Sequence, residues 1–486
     1  MKRPNILWIC TDQQRFDSLG CYGNAKIDTP NLDALAGRGM LFENTYCQSP
    51  VCTPSRASFL TGRYPRTCRV RQNGQRMPQN EKLISRIFAD YGYTCGLAGK
   101  LHIAPCHTSI SPAGESRGND GYQIFHWSHH PDFYGKDSNW PLNEYNMWLT
   151  AQNISYERIP YKSSRYVFTG PDAQYSHSRW CAEMAMDFIK AHEGYPERPW
   201  FFSLNFYDPH HDFDPPKDLL EKYLERLDRV DLPRYRDGEW KEKPCVQERD
   251  HRGAYGTPGF FDYEEMEEKD HLELKAAYYA MVEQVDREVG RVLEMLKETA
   301  QYDDTIIIFT SDHGEMLGDH GIYLKGPYFY ESMVKVPLII SWEGHIKGGI
   351  RRKALAQLMD LAPTLLDLAN LSVYEGMQGM SMKEILLNPL AEDNLHQIVF
   401  SEYANAMRHH SDCRVYVTMV TDGRYKLSYC HNTNQGELYD LKEDPEEFCN
   451  KYKDPEMQSV RIRMLEAMVN KFAYSMDPLP KREAVY

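Results

Sequence analysis

Apolar residues fall along the first two-thirds of this chain in two alternating patterns. Short unbroken runs form the first: Asn5 to Cys10, Thr94 to Ala98, Trp200 to Asn205 and Thr305 to Thr310. Runs of this length without polar alternation suit strands covered on both faces, as in a parallel sheet. Helical spacing forms the second. Thr29-Pro30-Asn31-Leu32 reads as a helix start, with Thr29 as cap and Pro30 at the first position. Lys82 to Tyr91 suits another helix. From about Glu264 to Thr299, the residues Ala277, Met281, Val285, Val289, Val292 and Leu296 make one stripe, which reads as a core-facing surface. Strand and helix in alternation predict an α/β domain built on a mostly parallel sheet.

Two stretches break the alternation. His107 to Tyr175 and His211 to Tyr263 are rich in aromatic residues, Pro, Gly and Asp, with little periodicity. They read as irregular insertions that wall an active site. Around residue 370 the texture changes. Gln397 to Glu402 and Tyr416 to Thr421 look like strands, Asp422-Gly423 like a turn, and Arg424 to Tyr429 like a hairpin partner. Pro455 to Phe472 looks helical. The expected division is a catalytic domain over 1–370 and a smaller α+β subdomain over 371–486.

Bulk properties narrow the function. The 486 residues are 42% hydrophobic and 26% charged, and the net charge is −14. An acidic chain is poorly suited to nucleic acid or an anionic membrane, so an anionic substrate would need a local cationic pocket. No run approaches the roughly 18 apolar residues of a membrane span. The start lacks the long apolar segment of a secretory signal. The expected location is cytoplasmic, or periplasmic or secreted if a signal has been removed. Twelve cysteines are too sparse for a disulfide scaffold and read mostly as free thiols.

The chemistry sits after the strands. Asp12-Gln13 follows the first run, Lys100 and His102 the second, Asp208-Pro209-His210 the third and Asp312-His313 the fourth. Ligands bind beyond the carboxyl ends of such strands, so all four motifs should meet at one sheet edge. Asp12, Gln13, Asp312 and His313 offer oxygen and imidazole donors for a divalent cation. His126-Trp127-Ser128-His129-His130 reads instead as a packed aromatic loop, because no acidic or cysteine partner lies at ligand spacing along the chain.

Ser49-Pro50-Val51-Cys52-Thr53-Pro54-Ser55-Arg56 continues to Thr61-Gly62-Arg63. This run resembles the Cys-x-Pro-Ser-Arg-x-x-x-x-Thr-Gly signature of type I sulfatases. The resemblance implies an alkaline-phosphatase-like fold, a large and mostly parallel sheet flanked by helices. It implies that a maturation enzyme oxidises Cys52 to formylglycine, which attacks a sulfate monoester as its hydrate. Cys52, Asp12, Gln13, Asp312 and His313 would surround the metal. Many sulfatases have Asp where Gln13 stands and Asn where His313 stands, and those members typically hold Ca2+, which is the first choice here; the imidazole of His313 shifts the preference toward Mn2+, the second. By the same resemblance Arg56 holds the formylglycine, Lys100 and Lys325 contact sulfate, His102 assists collapse of the sulfated intermediate, and His210 with Lys325 protonates the leaving alcohol. Arg71, Asn73 and His211 are candidates for substrate contacts. Glu437-Leu438-Tyr439-Asp440-Leu441 with Asp444-Pro445-Glu446 is similar to a sulfatase C-terminal element expected to pack the subdomain against the sheet. The expected substrate is a small sulfated carbohydrate. Phosphonate monoester or phosphodiester hydrolysis is the rival within the superfamily, and an inactive binding protein with Cys52 unmodified is the rival outside it.

Overall fold

The computed structural model describes residues 3–107, 109–130, 143–162, 164–410 and 414–484. Lys2, Cys413 and residues 131–142 of the first insertion lie outside them. Nine strands form the main sheet: β1 (Asn5–Thr11), β2 (Met40–Tyr46), β3 (Thr94–Gly99), β4 (Ile124–Trp127), β5 (Trp200–Asn205), β6 (Thr305–Ser311), β7 (Lys335–Val336), β8 (Leu338–Ser341) and β9 (Ile350–Gln357). Their order is β9-β2-β8-β6-β1-β5-β3-β4, with the short β7 beside β2. All run in one direction except β7 and β8, which are antiparallel to their neighbours. The mostly parallel α/β architecture is therefore as expected. β1 lies between β5 and β6, with Trp8 opposite Ser203 and Ile308, and its side chains from Ile6 to Cys10 are buried. That central position is why its apolar run is unbroken.

Helices α1 (Pro30–Arg38), α2 (Cys52–Thr61), α3 (His177–His192) and α4 (Glu268–Glu298) belong to this layer system. α4 carries the predicted stripe inward: Ala277, Met281, Val285, Val289, Val292 and Leu296 are all buried. α3 and α1 pack on it. α2 meets the sheet through Phe59, whose ring lies 5.4 Å from that of Trp8.

Three local expectations need correction. Thr29 occupies the cap position of α1 but its side chain does not cap. Asp286 of α4 instead accepts from the first-turn amide of Leu32 at 2.8 Å and from Asn31 Nδ2 at 2.8 Å, so a carboxylate from a neighbouring helix satisfies the exposed donors. The first insertion is less irregular than its composition indicates, since it supplies β4 and a helix over Glu144–Ala151. The second contains helices over Lys217–Leu224 and Cys245–His251. All four are short, between four and eight residues, too few to show a clear periodicity.

A second sheet of four antiparallel strands follows: β10 (Val399–Ala404), β11 (Tyr416–Thr421), β12 (Tyr425–Cys430) and β13 (Gln435–Asp440), with α5 (Gln458–Tyr474) packed on β11 and β12. β11 and β12 are the predicted hairpin. Glu437 reaches out of β13 to accept from Tyr330 Oη at 2.9 Å and Gln247 Nε2 at 3.0 Å. Among the described residues eleven cysteines are free, and no helix is long and apolar enough to cross a membrane.

The end of β3 shows how tightly the sheet edge is built. Gly99 has φ +101°, and a Cβ there would lie 1.8 Å from the carbonyl oxygen of Asn205. The same carbonyl accepts from the Lys100 amide at 3.1 Å, and Asn205 Nδ2 donates to the Lys100 carbonyl at 2.8 Å. Gly99→Ala is expected to destabilise the protein by about 3 kcal/mol or more. Denaturant unfolding checks this, and a loss below about 1 kcal/mol would contradict the close approach.

Candidate active site

Each motif emerges from the carboxyl end of a parallel strand. β1 delivers Asp12 and Gln13, β2 leads into Cys52, β3 into Lys100 and His102, β5 into His210 and His211, and β6 into Asp312 and His313. Cys52 is the first residue of α2 and is 1% exposed. Its Sγ lies 3.1 Å from His313 Nε2 and 3.6 Å from Asp12 Oδ1. Ligand atoms of Asp12, Cys52, Asp312 and His313 all lie within 4.8 Å of one another.

Arg56 stands one turn below Cys52 and ties the carboxylates together. Its Nε donates to Asp312 Oδ2 at 2.8 Å, one terminal nitrogen to Asp12 Oδ2 at 3.3 Å and the other to the Lys100 carbonyl at 3.0 Å. Lys100 Nζ also reaches Asp12 Oδ2, at 2.5 Å. Ser55 Oγ donates to the Asp312 carbonyl at 2.6 Å, which locks α2 to the end of β6.

Gln13 and His102 both adopt left-handed backbone, at φ 66° and 58°, a cost of about 1–3 kcal/mol each. The Gln13 amide donates to Asp312 Oδ1 at 3.1 Å and its carbonyl accepts from Tyr278 Oη at 2.8 Å. The Gln13 side-chain oxygen accepts from Lys325 Nζ at 2.7 Å, and its Nε2 donates to Glu315. The His102 amide donates to Glu115 Oε2 at 2.8 Å. Lys325 Nζ also donates to His210 Nε2 at 2.7 Å, and His210 Nδ1 lies 2.7 Å from Tyr207 Oη. The His211 ring stacks on that of His210 at 4.1 Å, with Nδ1 3.2 Å from Gln13 Nε2. Asn73 is joined to the site through its Oδ1, which accepts from the Thr53 amide in the first turn of α2 at 3.0 Å. Arg71 stands apart. Its side chain is exposed and lines a separate surface cleft with Arg66, Glu402 and His431.

Burial opposes every charge here, and neighbouring ions decide the outcome. Burial raises Asp12, but Lys100, Arg56 and Lys325 hold it well below the usual carboxylate range. Burial and Asp12 push the Cys52 thiol up, yet Lys100, Lys325 and His313 outweigh them and leave it below an ordinary thiol. Burial lowers His313, while Asp312 and Cys52 raise it further than burial depresses it. His102 and His210 are driven well below an ordinary histidine, first by burial and then by Lys100 and Lys325 respectively.

The donor set fits a divalent cation. Two carboxylates face a ring whose orientation is fixed, because His313 Nδ1 bonds the Gly314 carbonyl at 2.9 Å and turns Nε2 toward them, where it would bind an ion once its proton is displaced. Asp12, Asp312 and His313 would hold the ion, with residue 52 beside it, whereas the side-chain oxygen of Gln13, expected as a further ligand, is taken by Lys325 Nζ at 2.7 Å.

Several residues of the site were not singled out from sequence. Buried Glu315 accepts from Gln13 and from the amides of Leu317 and Leu324 at 2.8 and 2.6 Å. Its position three residues after Asp312 was the available signal. Tyr207 follows β5 as Lys100 follows β3. Glu115 had no signal, because it lies inside the irregular insertion. In the His126 to His130 run, the rings of His129 and His130 pack against His102, each other and Tyr207, and His129 also has a cysteine neighbour, Cys106, from the loop after β3, which spacing along the chain does not show.

A cationic pocket around a helix start at the carboxyl edge of a parallel sheet is a site for a tetrahedral oxyanion. Comparison with known proteins specifies the class. Residues 4–371 match the sulfatase family, and residues 318–473 match the C-terminal region of N-sulphoglucosamine sulphohydrolase. The chain belongs to the sulfatase family, within the alkaline-phosphatase-like superfamily, and is a sulfuric ester hydrolase. It is 29% identical over 460 residues to an arylsulfatase of Clostridium perfringens, covering 92% of this chain and 90% of that one. It is 26% identical over 488 residues to the N-acetylglucosamine-6-O-sulfatase of Bacteroides thetaiotaomicron, covering 92% and 82%. The structure of a phosphonate monoester hydrolase of Agrobacterium radiobacter superposes with a TM-score of 0.81 at 26% identity, over 98% of this chain and 97% of that one.

Removing the Arg56 guanidinium leaves two buried carboxylates without their shared partner. Arg56→Ala is expected to cost about 3–5 kcal/mol in denaturant unfolding of metal-free protein, and added divalent cation should recover part of it. A loss under about 1 kcal/mol would show that the bridge is not needed.

Proposed function

We propose that this protein hydrolyses a sulfate monoester on a small carbohydrate, using formylglycine made from Cys52 by a maturation enzyme together with one divalent cation. The observation that carries the reading is the seat of Cys52: the first residue of a buried helix, between Asp12 and His313, with Lys100 and Lys325 acting on the same point. The substrate class rests on similarity to carbohydrate-directed relatives such as the N-acetylglucosamine-6-O-sulfatase. Cation and hydrated aldehyde supply, when present, charge neutralisation and an oxygen nucleophile that can later release sulfate. By resemblance the cation is Ca2+, and the imidazole of His313 makes Mn2+ the second choice.

The chain's own residues do the rest. Arg56 and Asp312 hold residue 52 in place, and Lys100 and Lys325 neutralise the sulfate oxygens. His210 is neutral near pH 7 because burial and Lys325 depress it. Its Nε2 accepts from the Lys325 ammonium at 2.7 Å, and its Nδ1 faces Tyr207 Oη and the His211 carbonyl, so His210 positions Lys325, which gives the leaving alcohol its proton. His102, two residues after Lys100, assists release of sulfate. His211, stacked on His210, and Asn73, bonded to the first turn of α2, are the candidates for substrate contacts.

Phosphonate monoester hydrolysis is the second reading, favoured by the likeness to the Agrobacterium radiobacter enzyme over nearly the whole chain. Mass spectrometry of the Cys52 peptide from the native host should show formylglycine. Rates on 6-O- and 2-O-sulfated sugars should exceed those on phenylphosphonate and on a phosphodiester. An intact thiol in active protein would overturn the nucleophile, and a large preference for phosphonate would overturn the substrate. Lys325→Ala should reduce kcat on a sugar sulfate by about 100-fold or more, and much less on a substrate with a good leaving group. Equal losses on both would remove Lys325 from the proton path.

A further inference from the structure

We propose that His102, Cys106 and His129 form a second metal site, selective for a thiophilic divalent ion of the Zn2+ type, and that its occupancy silences the enzyme. One ligand atom from each residue lies within 4.8 Å of the other two. The rings of His102 and His129 meet edge to face, with centroids 4.4 Å apart. His102 is 8% exposed, and its Nδ1 has no hydrogen-bond partner among the described residues. A buried polar atom left so costs about 1–3 kcal/mol unless something binds it.

The donor types set the ion. Burial and Glu115 keep the Cys106 sulfur a thiol in the free protein, and a bound ion would displace its proton; two imidazoles and the resulting thiolate are a soft set suited to Zn2+, whereas the carboxylates of Asp12 and Asp312 suit harder cations. Tetrahedral zinc with Zn–N near ~2.0 Å and Zn–S near ~2.3 Å brings its ligand atoms to roughly 3.3–3.8 Å. Cys106 and the two rings, whose ligand atoms lie within 4.8 Å of one another, therefore need to close by at most about 1.5 Å. Three protein ligands leave a fourth position for water or substrate.

Glu115 makes this a built site. Its Oε2 accepts from the His102 amide at 2.8 Å and from Trp127 Nε1 at 3.1 Å. Its Oε1 accepts from the amides of Ile103 and Ala104 at 2.6 and 3.0 Å. One buried carboxylate thus pins the loop carrying His102 and Cys106 to the end of β4, which leads to His129. It also places negative charge beside the ligands, as outer-shell carboxylates do in metal sites. The silencing half of the proposal rests on the catalytic reading above, because a His102 ring bound to metal cannot assist sulfate release. The binding half does not rest on it.

Co2+ as a coloured stand-in for Zn2+ tests the site, in Cys52→Ser protein so that the carboxylate cluster contributes no thiolate. Co2+ should produce a thiolate-to-cobalt charge-transfer band that Zn2+ abolishes. The band should vanish in Cys52→Ser/Cys106→Ser and weaken in Cys52→Ser/His129→Gln, with circular dichroism confirming that each variant is folded. No band, or one that survives loss of Cys106, overturns the site. In enzyme with residue 52 converted, Zn2+ should inhibit, and Cys106→Ser should raise the inhibiting concentration roughly 100-fold. A Cys106-dependent band without Cys106-dependent inhibition overturns the silencing. Converted enzyme without sulfatase activity in the absence of Zn2+ would instead overturn the catalytic reading, and the cobalt band would still decide the site.

Discussion

The interaction on which this structure depends is the bridge from Arg56 to Asp12 and Asp312. It joins three pieces of chain that are distant in sequence, the ends of β1 and β6 and the first turns of α2. Two carboxylates at the centre of a sheet edge would repel each other and resist burial. The guanidinium resolves both difficulties because it is planar, permanently charged and able to donate in several directions at once. A lysine could satisfy one carboxylate but not hold the geometry of both. The same bridge fixes the start of α2, and so fixes where the side chain of residue 52 points.

Around that bridge the protein reverses its own electrostatic character. The chain carries a net charge of −14, yet Lys100, Lys325 and Arg56 converge on a point enclosed by Asp12 and Asp312. The pocket is therefore not an outgrowth of a basic surface. It is made by strand ends, each delivering one charged side chain, with short loops that leave little freedom of placement. Gln13 and His102, in left-handed backbone, show where that economy strains the chain.

Much of this was legible in sequence because parallel strands announce themselves. β1, β3, β5 and β6 are continuous apolar runs, and the residues just after them are the site. β2, β4, β8 and β9 were not legible. Phe42-Glu43-Asn44-Thr45 and Arg351-Arg352-Lys353 put polar residues into strands nearer the sheet margin, where one face or end meets solvent. Asn73 could be placed near α2 by its nearness in sequence, whereas Arg71, two residues away, turns to a different cleft. Sequence distance gives proximity but not direction. Glu115 and Cys106 lay beyond reach for a related reason: Glu115 meets the loop after β3 and the end of β4, Cys106 meets His129 from beyond β4, and no periodicity encodes such meetings.

The burial of Cys52 has a consequence in time rather than in space. Its side chain is enclosed by the first turn of α2, the ends of β1 and β6 and the ring of His313. On the proposed reading a maturation enzyme must bring its own active site to that sulfur, and the folded protein, in which Cys52 is 1% exposed, leaves it no approach. On the proposed reading, oxidation of Cys52 precedes folding. Collapse of the α/β core then sets a deadline: chains that close first are correctly folded, stable and permanently inert.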